Sequence, residues 1–328
     1  MFLIVNPLGI GYFTSACRMA TLAKRPLSEG KAMAVGSLRH VGWLIVVALA
    51  GGPVMAQDIV EVSRVPLPGV SSNQWESHPA IDPSTGELWF VRSDKNFQGW
   101  RIFTSGCRAG RWSDPKPMPF AGAGLEADPW FSPDGRTVWF ISSRATGAMA
   151  SAGLDIWRAQ RDGSGAWRAP ERLPAPVNSD AAEWFPRPAA DGWLYFGSRR
   201  PGGFGKDDIW RARQAADGSW QVENAGAGLN TADAEYELQM SPDGRWGVLS
   251  TDKGLFYVES DPKGWHRTKR LGASVNVNGT EIGPMVTPDG RGFVFSRDAG
   301  GDASGELLLA KFDASAKWPA NCGPIKPR

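Results

Sequence analysis

The chain has 328 residues, with 36 Lys and Arg against 34 Asp and Glu, and is 42% hydrophobic and 11% aromatic. It is too apolar for a disordered chain and too evenly charged for a dedicated nucleic-acid binder, which carries a clear basic excess. Three His and three Cys exclude most His/Cys zinc centres, and 40 Gly with 25 Pro point to many turns.

In chain order, residues 1–32 precede Met33, which opens MAVGSLRHVGWLIVVALAGGPVMA. Arg39 and His40, the apolar run 41–50, and the small residues Val54 and Ala56 form the three regions of a cleavable secretory signal. The run is shorter than the roughly 20 apolar residues of a spanning helix, so no stable membrane span is expected after cleavage near Ala56. The chain therefore divides into a misassigned N-terminal extension at 1–32, a signal peptide at 33–56 and one domain at 57–328, periplasmic or secreted. Loss of 1–56 tips the charge balance slightly acidic, which weakens a nucleic-acid partner further.

The domain is a repeat. Glu-x-x-Pro recurs at 76–79, 126–129, 183–186 and 281–284, and 235–238 keeps the Glu but has Leu for Pro. Each Glu is followed by a turn: DPSTG at 82–86, SPDG at 132–135, ADG at 190–192, SPDG at 241–244 and TPDG at 287–290. Asp bonds local backbone in such turns, and Gly tolerates φ > 0. An apolar run, a Gly-rich stretch and a second apolar run come next. Then Trp112, Trp167, Trp220, Trp265 or Trp318 opens a polar segment. Four short strands in about 50 residues is the pattern of a propeller blade, and a fixed place for each Trp indicates packing. The predicted fold is all-β, a β-propeller of five four-stranded blades closed by an N-terminal strand at 58–70. Six blades is the alternative, should 58–75 and the C-terminal tail form another.

The series Glu-x-x-Pro, SPDG, apolar run, Ser-Arg, Gly-rich stretch, Asp-Ile-Trp resembles the WD40-like (PD40) repeat of TolB-type periplasmic propellers. The segment 178–210, NSDAAEWFPRPAADGWLYFGSRRPGGFGKDDIW, also resembles propellers attached to OmpA-like peptidoglycan-binding domains. The resemblance implies a monomeric, non-catalytic module that binds an envelope protein or a cell-wall component. The rival is a carbohydrate-active enzyme of the five-bladed arabinanase type, and a weaker one is a metal-stabilised lactonase-like propeller.

Several residues are candidate sites. Glu76, Glu126, Glu183, Glu235 and Glu281 enter the inner strands near the axis, where a carboxylate ring suits Ca²⁺ or supplies the two carboxylates of a glycosidase. Alternatively they brace the repeat, each pairing with loop N–H groups or with a blade Arg. Arg144, Arg199 and Arg297, which each follow a Ser, are the expected partners. Catalytic or binding residues tend to break repeat symmetry. That singles out the insert 145–155 and the loop 199–208, with Arg199, Arg200, Phe204, Asp207 and Asp208. Trp75, Trp130 and Trp184 flank the Glu motifs as possible stacking surfaces, whereas Trp89, Trp139, Trp157 and Trp210 read as core. His78 is the one His inside a Glu-x-x-Pro motif. No nucleophile elbow, P-loop or EF-hand occurs, so no catalytic residue and no metal ligand is assigned. Cys107 and Cys322, in the first and last blades, are the pair available for a disulfide across the closure.

Overall fold

The Ser/Thr-Pro-Asp-Gly segments close hairpins by one repeated set of bonds. Ser132 Oγ donates to Asp134 Oδ1, the same carboxylate accepts from Arg136 N–H, and Gly135 sits at φ 67°. Ser241, Asp243 and Gly244 repeat this, as do Thr287, Asp289 and Gly290. The left-handed φ is what Gly supplies without a steric penalty.

These hairpins seed five sheets in the computed structural model, which describes residues 58–145, 153–298 and 305–318. Strand β1 (Glu61–Arg64) precedes the blades. Blade 1 holds β2 (Trp75–Ile81), β3 (Leu88–Ser93) and β4 (Arg101–Ser105). A small hairpin, β5 (Cys107–Arg108) and β6 (Arg111–Trp112), then leads to its outer strand β7 (Lys116–Pro117). Blade 2 is β8 (Glu126–Phe131), β9 (Thr137–Ser142), β10 (Asp155–Gln160) and β11 (Glu171–Arg172). Blade 3 is β12 (Glu183–Pro188), β13 (Leu194–Ser198), β14 (Asp208–Gln214) and β15 (Trp220–Asn224). Blade 4 is β16 (Glu235–Met240), β17 (Trp246–Thr251), β18 (Gly254–Asp261) and β19 (Gly264–Arg270).

Blade 5 has β20 (Ile282–Val286), β21 (Gly292–Asp298) and β22 (Gly305–Lys311) from the end of the chain, and β1 completes it. β1 runs antiparallel to β22, from Glu61 opposite Lys311 to Arg64 opposite Leu308. The fold is thus a five-bladed β-propeller closed by the predicted N-terminal strand. The six-blade alternative falls, because that segment fills an existing blade.

The core lies between blades. Leu88 and Phe90 of blade 1 pack with Val294, Leu307 and Leu309 of blade 5. Trp246 and Tyr257 of blade 4 meet Phe293 and Phe312 of blade 5. Tyr195 and Ile209 of blade 3 meet Leu238 and Leu249 of blade 4. A single blade would leave such a face in water, so the ring stands by stacking and closure. Trp112 and Trp318 are buried as predicted, while Trp167, Trp220 and Trp265 are half-buried. Trp89, Trp157 and Trp210 are core, and Trp139 is half-buried.

Cys107 is disulfide-bonded. It is the one cysteine among the described residues, and Cys322 lies outside them, as do the 1–32 and 33–56 segments and most of the 145–155 insert. No helix of the described residues is long and apolar enough to cross a membrane.

Register also defines the two ends of the ring. Glu126 lies opposite Ser142, and Glu183 opposite Ser198. The start of each inner strand is therefore beside the end of the second. Inter-blade segments and second-to-third-strand loops share that end, and the Asp-Gly turns occupy the other.

Removing residues before Val65 strips β1 and leaves β22 with an open edge. The expected outcome is a fall in melting temperature of about 10 °C, for a loss of a few kcal/mol in a chain of this size. An unchanged melting curve would contradict the closing role.

Candidate functional site

Each repeated Glu is buried and accepts a backbone N–H from four residues earlier. The donors are Ser72 to Glu76 (3.2 Å), Gly122 to Glu126 (2.7 Å), Ser179 to Glu183 (3.2 Å), Thr231 to Glu235 (2.8 Å) and Val277 to Glu281 (2.8 Å). Each also meets an Arg of its own blade: Arg92, Arg144, Arg200, Arg267 and Arg297 respectively. The same arginines donate to inter-blade carbonyls, as Arg92 does to Val70 O at 2.7 Å and Arg200 to Pro176 O at 2.8 Å. These carboxylates are thus engaged within their blades.

One expected partner is corrected. Arg200, not Arg199, meets Glu183 (2.8 Å), and Arg199 instead pairs with Asp207 (3.0 Å). The backbone N–H groups of Arg144 and Arg200 donate to Ser142 and Ser198, which makes those serines, two residues upstream, the equivalent pair. The doubled Arg concealed this one-residue slip.

The loop between β13 and β14 is anchored at both ends. Asp208 accepts from Phe204 N–H, Gly205 N–H (3.2 Å) and Asn224 Nδ2 (2.9 Å). Asp207 is buried; burial raises its pKa, and the Arg199 bond offsets part of that rise. Phe204 is 52% exposed, the one exposed aromatic among the large hydrophobic side chains of the described residues. Of the Trp residues flanking the motifs, Trp184 is buried with Arg199 over its ring, and Trp75 donates to Ser296 Oγ at 2.8 Å. Half-buried Trp130 lies under Arg187.

A second constellation sits two residues beyond each Glu, at His78, Asp128, Phe185, Glu237 and Gly283. A β-bulge interrupts the inner strand there in blades 1, 2, 3 and 5, and in blade 4 it falls between Glu235 and Glu237. His78 (φ 48°), Asp128 (57°), Phe185 (53°) and Gly283 (61°) occupy the left-handed region. His78 Nε2 of blade 1 is 3.0 Å from Glu237 Oε1 of blade 4 and 3.4 Å from Asp128 Oδ1 of blade 2. Blades 1 and 4 are not neighbours, so this contact crosses the centre of the ring. Glu237 Oε2 also accepts from Ser250 Oγ (2.8 Å) and Gly283 N–H (2.9 Å). Asp128 Oδ2 accepts from Phe185 N–H at 2.8 Å. Arg187 donates through Nε to Gln239 Oε1 (2.9 Å) and through Nη1 to Asp128 O (3.3 Å) and Pro186 O (2.9 Å). At Gly283 a Cβ would come within 2.9 Å of His78 N, so blade 5 leaves room for the imidazole.

Burial disfavours every charge in this cluster. It opposes the His78 imidazolium, yet Asp128 and Glu237 outweigh it and raise the pKa of His78. Burial also opposes the Glu237 carboxylate, but its bonds from His78, Ser250 and Gly283 prevail and lower its pKa. For Asp128 burial wins, and its pKa rises despite His78. Arg187 is pushed down to about 9 by burial against the pull of both carboxylates, and stays cationic at neutral pH. Ser77 Oγ lies 2.8 Å from His78 Nδ1 but is fully buried, which denies it a nucleophile's access to substrate. Among the described residues no group of three His, Cys, Asp or Glu has the geometry to hold a metal ion.

Of this cluster, sequence reasoning singled out His78 alone. The available signal was the variable residue before the Pro of each motif. It also missed Asn178, Asn230 and Asn276, each five residues before a Glu. Their side chains bond both backbone groups of Ile156, Ile209 and Leu255, tying each inter-blade loop to the preceding blade.

No family model matches the chain, and no curated protein does. Structural neighbours include a putative TolB from Agrobacterium tumefaciens, at 15% identity over 71% of this chain and 74% of that one, TM-score 0.44. The soluble aldose sugar dehydrogenase of Escherichia coli is 13% identical over 77% of this chain and 99% of that one, TM-score 0.45. The catalytic domain of a Coprinopsis cinerea GH62 α-L-arabinofuranosidase is 13% identical over 78% and 97%, TM-score 0.45. The fold assignment rests on this chain's own five sheets.

Two outcomes are expected. Glu183→Ala leaves the largely buried Arg200 without its carboxylate and is expected to cost about 3–5 kcal/mol in denaturant unfolding. A loss below about 1 kcal/mol, the scale of a surface ion pair, would contradict the brace. Second, a raised His78 pKa gives stability that is full below its ordinary value of 6.5 and is lost as pH rises through the folded value. His78→Gln is expected to flatten that decline, and a wild-type curve unchanged above pH 6.5 would contradict it.

Proposed function

We propose that the chain is an exported, non-catalytic binding module for an envelope protein or cell-wall component, and that the end bearing the second-to-third-strand loops makes the contact. The observation that carries this is Phe204, half in water on a loop pinned by Asp208 and by the Arg199–Asp207 pair. An aromatic anchor on an ordered loop loses little conformational freedom on binding. The surrounding inter-blade segments, PFAGAG at 119–124, PAPVNS at 174–179 and GASVNVNGT at 272–280, are neutral and small, and Val277 among them is also exposed. The Lys206–Asp252 (3.2 Å) and Lys253–Asp233 (3.3 Å) pairs at the same end supply the charged rim of such a face. The TolB-type repeat pattern of 178–210 agrees with a periplasmic setting.

The glycosidase alternative needs two carboxylates at a set separation and open to substrate. The repeated glutamates meet arginines instead, and Asp128 and Glu237 share one buried imidazole.

The test is capture of the tagged exported protein from envelope extract after mild cross-linking. One envelope component is expected to be enriched and lost with Phe204→Ser, while Lys263→Ala at the opposite end leaves it unchanged. Enrichment indifferent to Phe204→Ser would contradict the assigned face. Polysaccharide hydrolysis abolished by Asp128→Asn would contradict the non-catalytic reading.

A further inference from the structure

The segment after β1, the last described residue and one hairpin of blade 1 meet in a single apolar cluster. Val65, Leu67 and Val70, which follow β1, pack there with Trp112 of β6 and with Trp318. Cys107 of β5 lies against the same cluster and directly opposite Trp112. The hairpin is tied at its base. Ser113 N–H donates to Gly106 O (2.8 Å), Gly106 N–H to Ser113 Oγ (3.1 Å) and Ser105 Oγ to Ser113 O (2.6 Å). Past β22 the chain runs toward this hairpin. Phe312 belongs to the core between blades 4 and 5, and Trp318 to the core between blades 5 and 1.

Cys107 carries a disulfide, and the sequence offers two partners, Cys17 and Cys322. Cys17 precedes the cleavage point near Ala56 and is lost from an exported chain. Cys322 comes four residues after Trp318. Four extended residues span up to about 14 Å, and a disulfide needs Cα atoms within about 7 Å. With Trp318 already buried in the cluster that Cys107 touches, Cys322 has the reach.

The ring is otherwise shut by packing and by the short ladder of β1 on β22, from Glu61 opposite Lys311 to Arg64 opposite Leu308. We propose that Cys107 is bonded to Cys322, and that this bond is a second, redox-set latch on the ring, absent in a reducing cytosol and formed after export. The bond closes a loop that runs from blade 1 through every other blade, and a long loop is where a cross-link most restricts the unfolded chain. Its formation needs an acceptor of the disulfide class, free or borne by an oxidoreductase. One cysteine thiolate attacks the acceptor's disulfide, expels one of its thiolates and forms a mixed disulfide. The second cysteine thiolate then displaces the other. The two cysteines lose two electrons and two protons, and the acceptor leaves as two thiols. The latch shares the export reading with the proposed function but is independent of the Phe204 face.

The test is non-reducing tryptic mapping of the exported protein. IFTSGCR (102–108) and WPANCGPIKPR (318–328) are expected as one linked species that reduction separates. Reduction of the folded protein is expected to lower the melting temperature by about 5–10 °C, the scale of a long-loop disulfide in a chain of this size. Cys322→Ser is expected to melt with the reduced wild type and to be indifferent to reductant. Amide exchange in β1 and β22 is expected to quicken by about tenfold on reduction, with β13 of blade 3 unchanged. Two free thiols, or Cys107 joined to Cys17, would overturn the pairing. A linked species whose reduction moves neither the melting curve nor the exchange of β1 and β22 would overturn the latch, and that arm needs no variant to fold.

Discussion

A carboxylate buried at the head of every inner strand is the constraint on which the ring depends. Burying such a charge is costly unless bonds from the protein replace its water. In each blade, a loop amide four residues back and an arginine of the same blade provide them. The clamp therefore joins the inter-blade segment, the inner strand and the rest of the sheet in one set of bonds. In four blades the bulge after it falls at the same level, and in blade 4 it comes earlier, between Glu235 and Glu237. The residue two positions on is then delivered to the axis, whatever its type. Constant residues build the wall, and variable ones furnish the centre.

That division explains what the sequence revealed. The Glu spacing, the Asp-Gly turns and the β-type runs are local and repeated, so five blades could be counted. The outer-strand character of 58–70 was legible by comparison with the polar fourth segment of other units. The axial cluster was not legible, because His78, Asp128, Phe185 and Glu237 share no type, and they meet only after the ring closes. Arg199 and Arg200 were indistinguishable by motif, and only the register of Ser142 and Ser198 separates their roles. Asn178, Asn230 and Asn276 did hold a fixed offset from Glu, a signal overshadowed by the stronger Glu-x-x-Pro motif.

The centre and the ends of the ring differ in kind. At the axis, opposite charges are buried together and the imidazole of His78 links two carboxylates across blades. One end bears Phe204 on an anchored loop, beside the Lys206–Asp252 and Lys253–Asp233 ion pairs. The other bears charged turns whose Asp side chains are spent on their own backbone. A rigid wall with a centre unlike its ends keeps the buried axial residues apart from the exposed loops.

The central claim is that variable residues delivered to the axis form one buried electrostatic unit. A histidine NMR titration, with His78 assigned by loss of its signal in His78→Gln, tests this most directly. The account predicts a His78 imidazole that titrates above its ordinary value of 6.5 and shifts downward in Asp128→Asn. A His78 titration at or below 6.5, or one indifferent to Asp128→Asn, would contradict it.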